Sequence, residues 1–149
     1  NVGFSIIPGV LTICSVVMLL NGTAGPDGYT GAAYEGVRFL PFVADKLSFI
    51  LTPLFGFTDG SCVAVPITAL GAAGAAIGLV PKLIAEGSAH ARDVAVFTAM
   101  CMCWSGYLST HCSMMDMLGC RSLTGKSILS HTIGGLAAGI SAHLLFLLF

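Results

Sequence analysis

Residues 2–20 form an apolar run with no charged side chain. About 20 such residues, rising 1.5 Å each, match the hydrocarbon thickness of a bilayer. The run is too long for the apolar part of a secretory signal, and no small-residue cleavage pattern closes it, so it reads as an anchoring span. Apolar stretches recur at 57–80, 94–118 and 128–149, separated by short polar segments. The 149-residue chain holds 9% charged residues against 56% hydrophobic ones, with mean hydropathy +0.93. Soluble domains carry about 25% charged residues. This chain lacks the polar side chains to cover a water-facing surface. The expectation is an all-α integral membrane protein, with residues 1–149 as a single membrane domain. The net charge of −1 leaves no basic patch for nucleic acid. The six cysteines sit within apolar runs, where a thiol behaves as a small hydrophobe, and free thiols are expected.

Prolines, glycines and stray charges predict that some spans are interrupted. Residues 21–33, rich in Gly, Pro, Asn and Asp, read as a loop. Residues 34–57 mix apolar positions with Arg38, Asp45 and Lys46. A charge at a helix centre costs roughly 2.5–3.5 kcal/mol on insertion scales, so this stretch suits an interfacial helix or one broken at Pro53. Thr58-Asp59-Gly60-Ser61 reads as a turn that caps the next helix. Gly71, Gly74 and Gly78 form one small-residue face, and Gly135 with Gly139 another, both suited to close helix contact.

Charge placement argues for re-entrant segments. Lys and Arg prefer the cytoplasmic side of short loops. The 21–33 loop has neither and is placed outside; Lys82 with Arg92, and Arg121 with Lys126, are placed inside. That arrangement requires residues 36–80 to cross once in total and residues 94–118 to enter and return, turning at Gly106 and Ser109-Thr110-His111. Two interrupted apolar segments in one chain point to a transport site. Ser105–His111 and Thr58–Ser61 are therefore expected to approach each other.

The richest stretch for chemistry is Cys101 to Cys120. As continuous helix it would bring Cys101, Ser105, Ser109, Cys112 and Asp116 onto one face. Ser105, Ser109 and Thr110 offer hydroxyls to a solute or ion, or bond their own i−4 carbonyls. His111 and Asp116 are ionisable groups at membrane depth, a functional signal by default. Asp59 with Ser61 reads first as a helix cap and second as a solute contact, beside Thr58. The cysteine and histidine spacing matches no usual zinc pattern, so neither metal nor cofactor is expected. His131 and His143 lie twelve residues apart, close to one face of the last helix, and one of them is expected to hydrogen-bond across the bundle. No P-loop, HExxH or nucleophile-elbow motif is present. The chain is not expected to be an enzyme, although a membrane enzyme using His111 and Asp116 stays an alternative.

The residues FGFTDGSCVAVPITALGAAGAAIGL, the Ser105-Gly106 pair and GKSILSHTIGGLAAGI together resemble the nucleoside-recognition (Gate) domain family, which includes YjiG-like inner-membrane proteins and spore maturation protein B. The resemblance spans roughly residues 53–145. It implies a transport-like fold with broken helical hairpins and a multi-pass location in the inner (plasma) membrane. It also implies a paired Gate-domain subunit of the YjiH-like kind, or a homo-oligomer. The implied role is a subunit of a transporter or channel-like complex for a small solute or ion. The alternative is an assembly subunit without a solute. The candidate contacts are Ser105, Gly106, Ser109, Thr110, His111, Asp116, Thr58, Asp59 and Ser61.

Overall fold

The computed structural model describes residues 2–149, and among them the architecture is all-helical, with no strand beyond an isolated bridge between Gly25 and Gly28. The 20-residue helix α1 (Val2–Asn21) takes up the first apolar run and accommodates Pro8 in its second turn. The loop that follows folds back on the end of α1. Val37 N–H donates to the Leu19 carbonyl at 2.7 Å, and Thr23 N–H to the Tyr34 carbonyl at 3.3 Å. Gly22 and Gly36 are both buried where the two arms meet. A Cβ on Gly22 would fall 2.6 Å from the Gly36 nitrogen, so the closure needs glycine there.

Two short helices come next, α2 (Phe39–Lys46) and α3 (Ser48–Phe55). Pro53 lies inside α3 rather than at a break. The break falls at Gly56, which adopts a left-handed φ of 67° and closes α3 by donating its N–H to the Thr52 carbonyl at 2.8 Å. Asp59 then caps a 3₁₀ turn (Gly60–Val63) that runs into α4 (Ala64–Ala69). The axis bends by 70° across this junction. Leu70 to Ala72 interrupt the helix again before α5 (Ala73–Ala85). Gly87, with φ 74°, ends that element. α6 (Ala91–Trp104), α7 (Cys112–Met117) and the 23-residue α8 (Thr124–Phe146) complete the chain.

α4 and α5 form a hairpin. Both its feet, Asp59 to Ser61 and Lys82 to Glu86, line one cavity with Asn21 at the end of α1. Its tip, Leu70 to Ala72, lies deep against Ile13 of α1 and against Gly106. Residues 60–85 are thus a helical hairpin whose two feet lie together. Residues 91–117 form α6 and α7 around an interruption at Gly106, with α7 packed on α1. The interruption falls at Gly106, where the sequence predicts a turn.

α6 and α8 pack antiparallel along their length. The Trp104 indole lies on Gly135, and Met100 on Gly139, where a Cβ would fall 2.7 Å from the Met100 Cγ. Trp104 Nε1–H also donates to the His131 carbonyl at 2.9 Å. Gly135 and Gly139 thus act as the packing face expected of them. Gly74 and Gly78 do not, since a Cβ on either would meet nothing within 4 Å. Of the first small-residue face, only Gly71 is packed.

The core is small and apolar, joining Val17, Phe55, Val65, Val96, Phe97 and Trp104. Large apolar side chains also cover the outside, among them Phe4, Leu11, Phe49, Ile77, Met102 and Ile133. Among the described residues one stretch, Arg121–Phe146, is by itself long and apolar enough to cross a membrane; Ser48–Phe55 with Gly60–Ala69 passes the same test as a bent pair.

The α6–α8 contact is testable by a matched pair of substitutions. Gly135→Leu forces the Trp104 indole out of its seat and is expected to cost about 1–3 kcal/mol of stability. Gly134→Leu, whose site is open, is expected to be neutral. Denaturation midpoints of the two variants and the parent check this.

Candidate functional site

The two interior helix breaks meet. Gly106, with φ 65°, turns the chain out of α6 into a π turn (Tyr107–His111) that leads to α7. Its N–H donates to the Ala69 carbonyl at 2.8 Å, and Leu108 N–H donates to the Leu70 carbonyl at 3.1 Å. Ser109, 5% exposed, offers its hydroxyl proton to the Gly71 carbonyl at 2.9 Å and the Gly106 carbonyl at 3.0 Å. Breaking a helix frees backbone groups that must find partners in an apolar interior. Here each break supplies partners for the other. Close approach depends on small residues. A Cβ on Gly106 would stand 3.3 Å from the Gly71 oxygen, and one on Gly9 of α1 would stand 3.3 Å from the Ser109 Cβ.

The expected polar stripe does not survive this geometry. α6 stops at Trp104, so Cys101 and Asp116 are not on one continuous helix. Cys101 is buried and Asp116 is exposed, facing Arg121 Nε at 3.4 Å. His111 meets the ring of His131 edge-on, centroids 4.2 Å apart. Ser105 is exposed at the end of α6, and Thr110 is half-buried, its Oγ1 3.1 Å from where a Gly106 Cβ would stand.

Thr58 to Ser61 does not approach Ser105–His111. Thr58 donates its N–H to Asp93 Oδ1 at 2.9 Å and its hydroxyl to Asp93 Oδ2 at 2.7 Å. Asp93 lies at the start of α6, while Ser105 ends it, about 18 Å further along the helix axis. The partner of the Gly106 break is the tip at Leu70 to Ala72, a junction that the expected pairing missed. Its sequence signal was Leu70-Gly71-Ala72, read as packing surface rather than as a turn.

Asp93 closes the polar segment 81–93, where the sequence gives it no distinct role. It is 0% exposed and accepts the His90 N–H at 2.9 Å besides the two Thr58 bonds. A fully buried carboxylate is tolerated because three donors satisfy it and one of them begins a helix. Beside it, Arg92 Nε and the Nδ1 of buried His143 have no hydrogen-bond partner among the described residues, and both crowd the open side of Gly56. The bend at Gly56 is thus held by α6 and α8 together.

Asp59 and Ser61 reach open space. Asp59 Oδ1 accepts the Ser61 N–H at 2.7 Å and the Ser61 hydroxyl at 2.5 Å, the cap that the sequence predicts. Both residues line a cavity of about 160 Å³ between the hairpin feet, the end of α1 and the 22–38 loop. Lys82 stands there with its ammonium 4.6 Å from the Tyr34 ring centroid and 3.7 Å from Glu86 Oε1. The loop on its rim is tied by Glu35, whose carboxylate accepts the Thr30 hydroxyl at 2.7 Å and the N–H groups of Thr30, Gly31 and Ala32. The Thr30 hydroxyl bond, with the backbone bonds behind it and slight desolvation opposing, holds the Glu35 carboxyl below its ordinary range. Among the described residues no group of three His, Cys, Asp or Glu could hold a metal ion, and all six cysteines are free thiols.

The two buried and exposed carboxylates should respond differently to removal. Asp93→Ala strands the Thr58 N–H, the Thr58 hydroxyl and the His90 N–H, and is expected to cost about 3 kcal/mol or more. Asp116→Ala removes an exposed pair and is expected to cost under about 1 kcal/mol. Unfolding midpoints separate them. The Glu35 knot has a defined pH sign. Its stabilisation is complete above the ordinary Glu pKa of about 4.3 and is lost as pH falls through the lower folded value. Amide-exchange protection of Gly31 and Ala32 should fall in that acidic window, and Glu35→Gln should lower it at neutral pH.

Compared with known protein families, characterised proteins and solved structures, the chain matches none.

Proposed function

We propose that this chain is a multi-pass protein of the inner (plasma) membrane and a subunit of a transporter or channel-like complex for a small solute or ion. The single observation that carries the reading is the docking of a hairpin tip onto the break of another helix, with main-chain bonds passing between them. Irregular backbone of this kind is tolerated at membrane depth only where protein or a cavity surrounds it, and it recurs where transporters bind their substrates. An apolar exterior around buried Asp93, Thr68, Ser109 and His143 supports the same reading. On this proposal α1 and α8 cross the bilayer, α6 with α7 forms an interrupted crossing, and α4 with α5 enters and returns. The Gate-domain resemblance, and with it a paired Gate-domain subunit, remains part of the proposal.

The orientation differs from the one drawn from loop charges alone. Lys82 sits over Tyr34, so the 22–38 loop and the Lys82–Arg92 segment share one end of the molecule. Arg38, Lys46, Lys82 and Arg92 then gather at that end, leaving Arg121 and Lys126 at the other. The basic excess assigns the 22–38 end to the cytoplasm.

A second reading, an assembly subunit with no solute of its own, draws on the sealing of Ser109. Its hydroxyl is spent on backbone carbonyls and no described cavity includes it. Two measurements separate the possibilities. The protein should stay in the membrane pellet after an alkaline carbonate wash; release into the supernatant would end the membrane reading. Vesicles holding the chain with a Gate-domain partner should take up at least one probe from a panel of labelled amino acids, nucleosides and monovalent cations. Retention in the membrane with no uptake of any probe selects the assembly subunit.

A further inference from the structure

The cavity between the hairpin feet is built for a ligand that carries both charges. Four formal charges line it, Arg38 and Lys82 against Asp59 and Glu86. They cancel, so the wall matches a ligand whose own charges sum to zero. Three of the four are already engaged. Lys82 lies 3.7 Å from Glu86, and Asp59 accepts both bonds from Ser61. Arg38 has no ion pair or side-chain hydrogen bond among the described residues. The wall thus presents one free cationic donor, Arg38, beside the carboxylates of Asp59 and Glu86. The first calls for a carboxylate, which a guanidinium binds through paired N–H groups. The carboxylates of Asp59 and Glu86 on the same wall call for an N–H donor with positive charge.

Size narrows the choice. A cavity of about 150 Å³ holds a six-carbon ring, and this one measures about 160 Å³. A ligand of roughly six to ten non-hydrogen atoms fits by that comparison. We propose that this cavity binds a small zwitterion of the amino-acid type, its carboxylate on Arg38 and its ammonium on the carboxylates of Asp59 and Glu86. The inference rests on the reading of the chain as one that handles a small solute, and it moves the solute contacts from Ser105–Thr110 to the foot of the hairpin.

The test uses the full chain in lipid nanodiscs and calorimetric titration with three probes. L-Alanine carries both charges, propionate only the carboxylate, and ethylamine only the ammonium. Saturable binding of L-alanine is expected, at least about tenfold tighter than either half-probe. Arg38→Gln should weaken L-alanine by about tenfold or more, and Glu86→Gln by several-fold, while Arg38→Lys retains part of the affinity. Helix content and elution volume of each variant must equal the parent's, and Arg121→Gln at the far end serves as a control that leaves binding unchanged. Absence of L-alanine binding, equal binding of the half-probes, or binding indifferent to Arg38→Gln overturns the proposal. Uptake of some other solute in vesicles, with no L-alanine binding, leaves transport standing and removes the zwitterion site. L-Alanine binding with no uptake of any solute does the reverse.

Discussion

The fold depends on two backbone hydrogen bonds between chain breaks, from Gly106 N–H to the Ala69 carbonyl and from Leu108 N–H to the Leu70 carbonyl. Each interruption would otherwise leave unpaired polar groups in an interior made of Val, Phe, Met and Trp. Paired with each other, the breaks become compatible with that interior. The rest follows as geometry. The feet of α4 and α5 lie with the end of α1 and the 22–38 loop around the cavity. Gly9, Gly71 and Gly106 surround the crossing, because any larger side chain would push α1, the tip and the break apart.

A second anchor lies at the other end of α6. Asp93 gathers donors from the bend at Thr58 and from its own helix start, fixing α4's foot to α6. Between the crossing and this anchor, α6 is held on both ends to the hairpin and along its side to α8. The bend at Gly56 is crowded by Arg92 and His143, one from each of those helices. A shift of α8 against α6 would therefore be felt at the bend, and through it at the cavity wall formed by Asp59 and Ser61.

Much of this was legible in the residues. The all-helical class, the Asp59 cap, the Gly135–Gly139 face, the free thiols and the existence of interruptions near Gly106 and after Phe57 follow from local chemistry. What failed was pairing. Periodicity cannot tell which break faces which, and Leu70-Gly71-Ala72 has the composition of a packing face as well as that of a turn. Counting Lys and Arg by loop placed the 21–33 loop opposite Lys82, because the count assumed that the second apolar stretch crosses. In the folded chain the Lys82 ammonium lies over the Tyr34 ring, so Lys82 and the end of that loop share one end of the molecule. Asp93 escaped notice because a buried carboxylate and a solvated one look alike in a polar stretch. The site residues divided accordingly. Ser109 and Gly106 hold the crossing, Thr58 holds Asp93, Asp59 and Ser61 face the cavity, and Asp116 faces outward.

The central claim is that residues 60–85 enter and return, so that both feet share a side with the 22–38 loop. Side-specific thiol labelling in sealed cells tests it most directly. The native cysteines are replaced by alanine, and single cysteines are placed at Gly28, Glu86 and Ser122 in turn. The account predicts that Gly28→Cys and Glu86→Cys react from one and the same face of the membrane, and Ser122→Cys from the other. Labelling of Gly28→Cys and Glu86→Cys from opposite faces would contradict it.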